Sequence, residues 1–207
     1  MRILVACEFS GVVREAFRKR GHTAYSCDLL PADDNQEWHI QDDIMKVIYP
    51  PHRCGAKWDL MIAHPPCTYL SVSGLHWNKR RPERVAETEM AIEFVRALLD
   101  APVGRIALEN PVGCISSRIR KPDQIIQPYE FGHDASKATC LWLKGLPKLK
   151  PTSRVEPRLV NGRRIWGNQT PSGQNKLGPS SDRWKLRSIT YQGIEDAMAE
   201  QWDTNEA

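Results

Sequence analysis

MRILVACEFSGVVREAFRKRGHTAYSCD, residues 1–28, is the stretch that decides the fold class. Ile3, Leu4 and Val5 form a short run with no polar residue, the pattern of a strand buried on both faces of a parallel sheet. Glu8 to Gly11 read as a loop. From Val12 to Arg20, the apolar residues Val12, Val13, Ala16 and Phe17 recur at helical spacing with basic residues between them. Gly21 is a natural helix stop. Thr23 to Cys27 then read as a second strand that ends at Asp28. Strand, helix and strand in close succession are the unit from which parallel sheets are built.

The alternation continues outward. Trp58 to Ala63 predict a third strand, running into the loop His64, Pro65, Pro66 and Cys67. Residues 82–99 predict the longest helix, with Val85, Met90, Ile92, Val95 and Leu98 on its apolar face. Arg105 to Leu108 predict a strand that leads into Glu109, Asn110 and Pro111. Thr139 to Leu143 predict another, and residues 193–202 a closing helix with Ile194, Ala197, Met198 and Trp202 on one side. The expected architecture is an α/β fold with a mostly parallel, doubly wound sheet. Such sheets bind ligands beyond the carboxyl ends of their strands. Glu8 to Gly11, Asp28, His64 to Cys67 and Glu109 to Pro111 all fall at such ends.

The chain's 207 residues suit one domain with a small lobe, and 29 Lys and Arg against 25 Asp and Glu permit a polyanionic partner without requiring one. The six cysteines, Cys7, Cys27, Cys54, Cys67, Cys114 and Cys140, are scattered and contain no C-x-x-C pair. The apolar run at the start stops at Glu8, too short for a signal peptide, and no run of about 18 apolar residues occurs. These features lead us to expect a protein of a reducing cytoplasm, with thiols rather than disulfides and no membrane or obligate protein partner. Composition shifts at residue 150. Residues 150–187 are rich in Pro, Gly, Ser, Asn and Gln and hold nine Lys and Arg against two acids, a net of +7 that leaves the remainder at −3. The expected division is a core over 1–149, a small irregular basic lobe over 150–187 and a C-terminal helix over 188–207 that completes the core.

Three groups of residues point to chemistry. Cys67 follows two prolines at a strand end, on a stiff loop at the ligand edge of the sheet. A thiolate there is a nucleophile, although free cysteines are often simply buried. Zinc bound by His64 and Cys67 is the other reading, but the H-x-E and C-x-x-C pairs of zinc deaminases are missing, so no metal is assigned. Glu109 ends a buried strand, where desolvation raises a carboxyl pKa and makes it a proton donor. Asn110 beside it is equally suited to capping the turn before Pro111. Asp28 stands where an acid often binds ribose hydroxyls, or is a solvated turn aspartate.

In this order, these residues resemble the cytosine-C5 DNA methyltransferase family, which arranges a Phe-x-Gly turn, a strand-end acid, an Asp-Ile pair, a Pro-Cys loop and a Glu-Asn pair along a Rossmann-like sheet. Here they are Phe9 with Gly11, Asp28, Asp43 with Ile44, Pro66 with Cys67, and Glu109 with Asn110. The stretches HPPCTYLS and KATCLWLKGLP resemble a compact, phage-associated branch. The aminomethyltransferases have an Asp/Asn/Ser-Pro-Pro-aromatic loop, which His64 and Cys67 do not match. The sequence departs from the family pattern at Val13 and Arg14, in a turn where the family has more glycines. Its Gln-x-Arg-x-Arg segment is matched best by Ser136 to Thr139, with Arg118 and Arg120 as a competing pair.

The resemblance implies a DNA (cytosine-5-)-methyltransferase that uses S-adenosylmethionine, releases S-adenosylhomocysteine and flips its target base out of the duplex. It implies Cys67 as nucleophile, Glu109 as proton donor to the ring, Asn110 as scaffold of the loop and Lys137 as a contact to the base or its phosphate. The cofactor is expected over Glu8, Phe9, Ser10 and Gly11, with Asp28 on its ribose, Asp43 or Asp42 near its adenine, and Pro65 and Ser188 close by. DNA is expected on Arg163, Arg164 and Trp166 of the basic lobe and on Arg80 and Arg81. Two other readings stay open: the same chemistry on a free pyrimidine nucleotide or RNA, and a catalytically silent nucleic-acid-binding protein of this fold.

Overall fold

The computed structural model describes residues 1–50, 57–178, 180 and 190–203. Seven strands form one sheet: β1 (Arg2–Ala6), β2 (Thr23–Asp28), β3 (His39–Gln41), β4 (Leu60–Ala63), β5 (Ile106–Pro111), β6 (Gln124–Ile126) and β7 (Thr139–Lys144). They lie side by side in the order β3-β2-β1-β4-β5-β7-β6. Neighbours are parallel from β3 through β5, and β7 runs antiparallel to both β5 and β6. The fold is therefore a mostly parallel α/β sheet. The chain leaves β1 toward β2 and β3, then returns to the other side of β1 as β4. The crevice beyond β1 and β4 is thus the topological switch point where open sheets bind ligands.

Residues alternate across the sheet, and both faces are apolar. Ile3, Val5, Leu60 and Ile62 point to one face. There they meet Val13, Ala16 and Phe17 of α1 (Val12–Lys19) and Ile194, Met198 and Trp202 of the C-terminal α6 (Gln192–Gln201) and its cap. Leu4, Ala6, Met61 and Ala63 point to the other face. They are covered by Ile44 and Ile48 of α2 (Ile44–Ile48) and Ile92, Val95 and Leu98 of α4 (Arg84–Leu99). Between α2 and α4 the chain adds a short α3 (Val72–Leu75), and α5 (Ile115–Arg118) follows β5. Trp202 is fully buried and its indole N–H donates to the Pro147 carbonyl at 3.0 Å, so α6 closes the core. No helix among the described residues is long and apolar enough to cross a membrane.

Several expectations need correction. Val85 and Met90 do not face the core; they are 47% and 72% exposed. The buried stripe of α4 is Thr88, Ile92, Val95 and Leu98, spaced by four, three and three residues. Met90 lies on the opposite side of the helix from Ile92, and Val85 in its first turn. The strand expected from Trp58 begins at Leu60, although Trp58 is itself buried. The basic lobe is less irregular than its composition suggests. It holds a hairpin of β8 (Arg158–Val160) and β9 (Arg163–Ile165), turned at Asn161 and Gly162 with φ of 51° and 73°. Two successive positive φ angles are the geometry of the type I′ turn, for which Asn-Gly is the preferred pair.

Candidate active site

The loop after β4 is pinned at several points. The His64 N–H donates to the Ala6 carbonyl at 2.9 Å, which fixes the strand end. The Asn110 amide donates to the Pro65 carbonyl at 2.7 Å, inside the protein. The Cys67 carbonyl accepts from the N–H groups of Leu70 and Ser71, at 3.1 and 2.9 Å, and so closes a turn. The far end of the loop is zipped to the segment after β5. Val72 donates to the Val112 carbonyl at 3.2 Å and Cys114 to the Leu70 carbonyl at 2.9 Å. This approach requires Gly113, where a Cβ would lie 1.9 Å from the Leu70 oxygen. Cys67 itself is exposed.

Beneath the loop lies a group of buried ionisable side chains. His64 Nδ1 sits 3.0 Å from Glu109 Oε2, and both side chains are nearly buried, at 12% and 14% exposure. The expectation that desolvation leaves Glu109 with a raised pKa is overturned. Burial pushes it up, but the hydrogen bond and charge of His64, together with the Lys137 ammonium, outweigh burial and hold the carboxyl below its ordinary value. Burial in turn pushes His64 down, and the bond to Glu109 with the charges of Glu109, Glu8 and Glu195 lifts it above the ordinary histidine value. Glu195, on α6, is fully buried, with a side-chain hydrogen bond to Thr190. Burial, then the Glu8 charge, push it up to about 8.

Two cavities flank the loop. One, of about 560 Å³, opens beyond β1, β2 and β3. Its walls are Met90, Ala91, Phe94 and Pro66 with Cys7, Asp28 and Asp43 at the strand ends. The other, of about 370 Å³, is bounded by Cys67, Ser71, Ser73 and Lys137 from the core and by Asn168, Asn175 and Tyr191 from the C-terminal part. Pro66 belongs to the first cavity and Cys67 to the second, so adjacent residues separate the two.

Of the residues assigned to the cofactor from sequence, Asp28 and Asp43 line the larger cavity. Glu8, Phe9, Ser10, Gly11 and Pro65 do not. Glu8 is 4% exposed and turned inward, where its carboxylate accepts from the Val13 and Arg14 N–H groups at 2.7 and 3.4 Å and from the Ser10 hydroxyl at 3.3 Å. It satisfies the start of α1, whose N-cap, Gly11, has no side chain to do so. Gly11 faces Asp34 and the fully buried Arg14, two side chains that are themselves ion-paired. Phe9 spends its carbonyl on the Asp33 N–H, and Pro65 spends its own on Asn110. Ser188 lies outside the described residues.

Among the described residues, no group of three or more His, Cys, Asp or Glu could hold a metal ion. Arg80 and Arg81 are exposed, with guanidinium groups 5.4 and 5.7 Å from the ring of the exposed Trp77. Arg163 and Arg164 are exposed on β9. Trp166 is stacked on Tyr129 at 4.6 Å and 17°, which occupies one ring face and leaves less of it for a base than the sequence suggested.

No family model and no curated protein matches this sequence. Among solved structures it is similar to a protein described as a DNA modification methyltransferase encoded within an E. coli prophage, at 12% identity and a TM-score of 0.45, over 78% of this chain and 53% of that one. It is also similar to the 16S rRNA methylase RmtB, at 15% identity and a TM-score of 0.33, over 69% of this chain and 54% of that one. The chain thus spans about half the length of each.

Besides Glu195, sequence reasoning missed three participants in the site. His64 was weighed as a zinc ligand, but its place at the end of β4, level with the end of β5, could have pointed to Glu109. Asn168 clamps the Ser136 backbone, donating to its carbonyl at 2.9 Å and accepting from its N–H at 3.0 Å. Gln127 accepts from the Lys137 N–H at 3.0 Å. No local pattern marks Asn168 or Gln127.

Proposed function

We propose that the protein methylates carbon 5 of cytosine in DNA, with S-adenosylmethionine as methyl donor and Cys67 as covalent nucleophile. The observation that carries this reading is the exposed thiol on a pinned loop between two cavities. Methyl transfer needs donor and acceptor on either side of one reacting centre.

The larger cavity fits the donor. Its apolar wall of Met90, Ala91 and Phe94 suits an adenine, and the strand-end carboxylates of Asp28 and Asp43 suit ribose hydroxyls and a cationic donor. When bound there, S-adenosylmethionine supplies an electrophilic methyl group.

The residues of this chain do the rest. Cys67 sulfur adds to carbon 6 of the ring, which moves electron density to carbon 5. Glu109 holds a proton at ring nitrogen 3 as charge develops there, and Lys137 faces the same cavity as a fixed positive charge. Once carbon 5 carries the methyl group it loses its proton to solvent water. The bond between sulfur and carbon 6 then breaks and aromaticity returns. Asn110 keeps the thiol in place by holding Pro65. A base must leave the duplex to enter the smaller cavity.

DNA carrying 5-fluorocytosine tests this reading, because fluorine cannot leave as a cation and the adduct is trapped. A denaturation-resistant adduct that requires the cofactor and disappears in Cys67→Ala is expected. Methyl transfer to RNA or free dCMP in place of DNA would reassign the substrate, and an adduct that survives in Cys67→Ala would remove the nucleophile.

A further inference from the structure

We propose that His64 is a positioning residue that stores the proton Glu109 delivers to the ring, within a buried cluster it shares with Glu8 and Glu195. The inference rests on the reading of Glu109 given above and deepens it.

Geometry comes first. One imidazole nitrogen of His64 lies 3.0 Å from Glu109 Oε2. The other, Nε2, is buried and has no hydrogen-bond partner among the described residues. Glu195 brings a second buried ionisable group to the same region from a distant helix. Native proteins seldom bury polar atoms without partners, and those that persist tend to belong to strained or catalytic sites.

The charges then decide where the proton rests. The groups that face the pair are Glu8 after β1, Lys137 before β7, Cys140 within β7 and Glu195 on α6, with Arg14 on α1 beside Glu8. Near neutral pH Glu109 is ionised, so by itself it accepts hydrogen bonds and has no proton to give. His64 is lifted chiefly by the hydrogen bond and charge of Glu109, and the shared proton lies on its Nδ1. As Cys67 adds to the ring, that proton moves from Nδ1 to Glu109 and from Glu109 to ring nitrogen 3. His64 becomes neutral and Glu109 returns to the carboxylate. When the ring is restored, nitrogen 3 gives the proton back by the same route. No other acid is consumed.

His64→Asn separates this role from a structural one. The Asn amide can still donate to Glu109 but cannot release a proton. The variant is expected to fold as the parent does, to lose about 10- to 100-fold in kcat with little change in KM, and to lose the alkaline fall of kcat that His64 deprotonation imposes. Histidine NMR on the full chain gives a readout that needs no turnover. In the parent, His64 should titrate above the ordinary histidine value, and Glu109→Gln should lower its midpoint by at least one pH unit. A His64→Asn variant with the parent's kcat and pH profile overturns the inference, and so does a His64 midpoint unmoved by Glu109→Gln. If the parent transfers no methyl group to any nucleic acid, the functional reading fails and the titration alone decides this inference.

Discussion

A carboxyl buried as Glu195 is leaves a thermodynamic mark. Burial raises its pKa from the ordinary 4.5 to about 8, with the charge of Glu8 adding to the rise. Between those values the folded chain holds a proton that the unfolded chain has released. Stability therefore falls as pH rises, by about 1.4 kcal/mol per unit from this group. Below the window both states are protonated and above it both are ionised, so the slope vanishes. Glu195→Gln should flatten the loss of stability between pH 5 and 8, measured by urea denaturation at a series of pH values. Parallel curves for parent and variant would mean that Glu195 is ionised in the folded chain. Residues such as this divide what a sequence shows from what it hides. Cys67, Asp28 and Glu109 announce themselves by standing at the ends of apolar runs. Glu195 sits in an ordinary helical stretch, QGIEDAMAEQ, and nothing local marks it as buried near the histidine that follows β4. Glu109 was found, but the direction of its shift was not, because His64 and Lys137 reverse what burial alone dictates.

Among the elements, the segment before β7 shows how the small lobe reaches the site. Asn168 holds Ser136 by both backbone groups, while Gly167 donates to Asp134 Oδ1 at 2.7 Å and Gln127 holds Lys137 from the core side. The lobe thus supports one half of this segment and the core the other. In Asn168→Ala the Ser136 amide loses its acceptor, and its hydrogen exchange should speed up about tenfold, the effect of about 1.4 kcal/mol of lost local protection. The Lys137 amide, bonded to Gln127, should keep its rate. Unchanged exchange at Ser136 would show that the lobe is not what holds the segment. The longer strands and helices were legible because apolar runs and helical spacing are strong signals. β3 and β6 were not, since three residues carry too little periodicity to stand out. The hairpin had a readable signal in Val-Asn-Gly-Arg, but the surrounding Pro, Gly and Ser suggested an irregular chain.

For the molecule as a whole, alternation of strand and helix established a parallel sheet, but not the order of its strands or the reversal of β7. Those depend on which edges meet, and no residue encodes that locally. The distribution of charge, by contrast, is a whole-chain property that composition does reveal, with +7 gathered in 150–187. β8 and β9 carry Arg158, Arg163 and Arg164 exposed, and three residues after β9 the chain reaches Asn168, which lines the smaller cavity. On the proposed DNA substrate, each arginine that neutralises a phosphate releases a counterion, and affinity falls with salt by about 0.9 in slope per contact. Replacing Arg163 and Arg164 together by Ala should weaken binding and reduce the slope of log K against log salt by up to about 2. Binding of S-adenosylmethionine in the larger cavity should not change, because neither arginine lines it. Anisotropy titrations at four or five salt concentrations read both quantities. Equal slopes for parent and double variant would move the phosphate contacts to Arg80 and Arg81, whose guanidinium groups lie near Trp77. The same titration on Arg80→Ala with Arg81→Ala would then show the loss instead, and a duplex that bound all of these proteins alike would leave neither surface in contact with DNA.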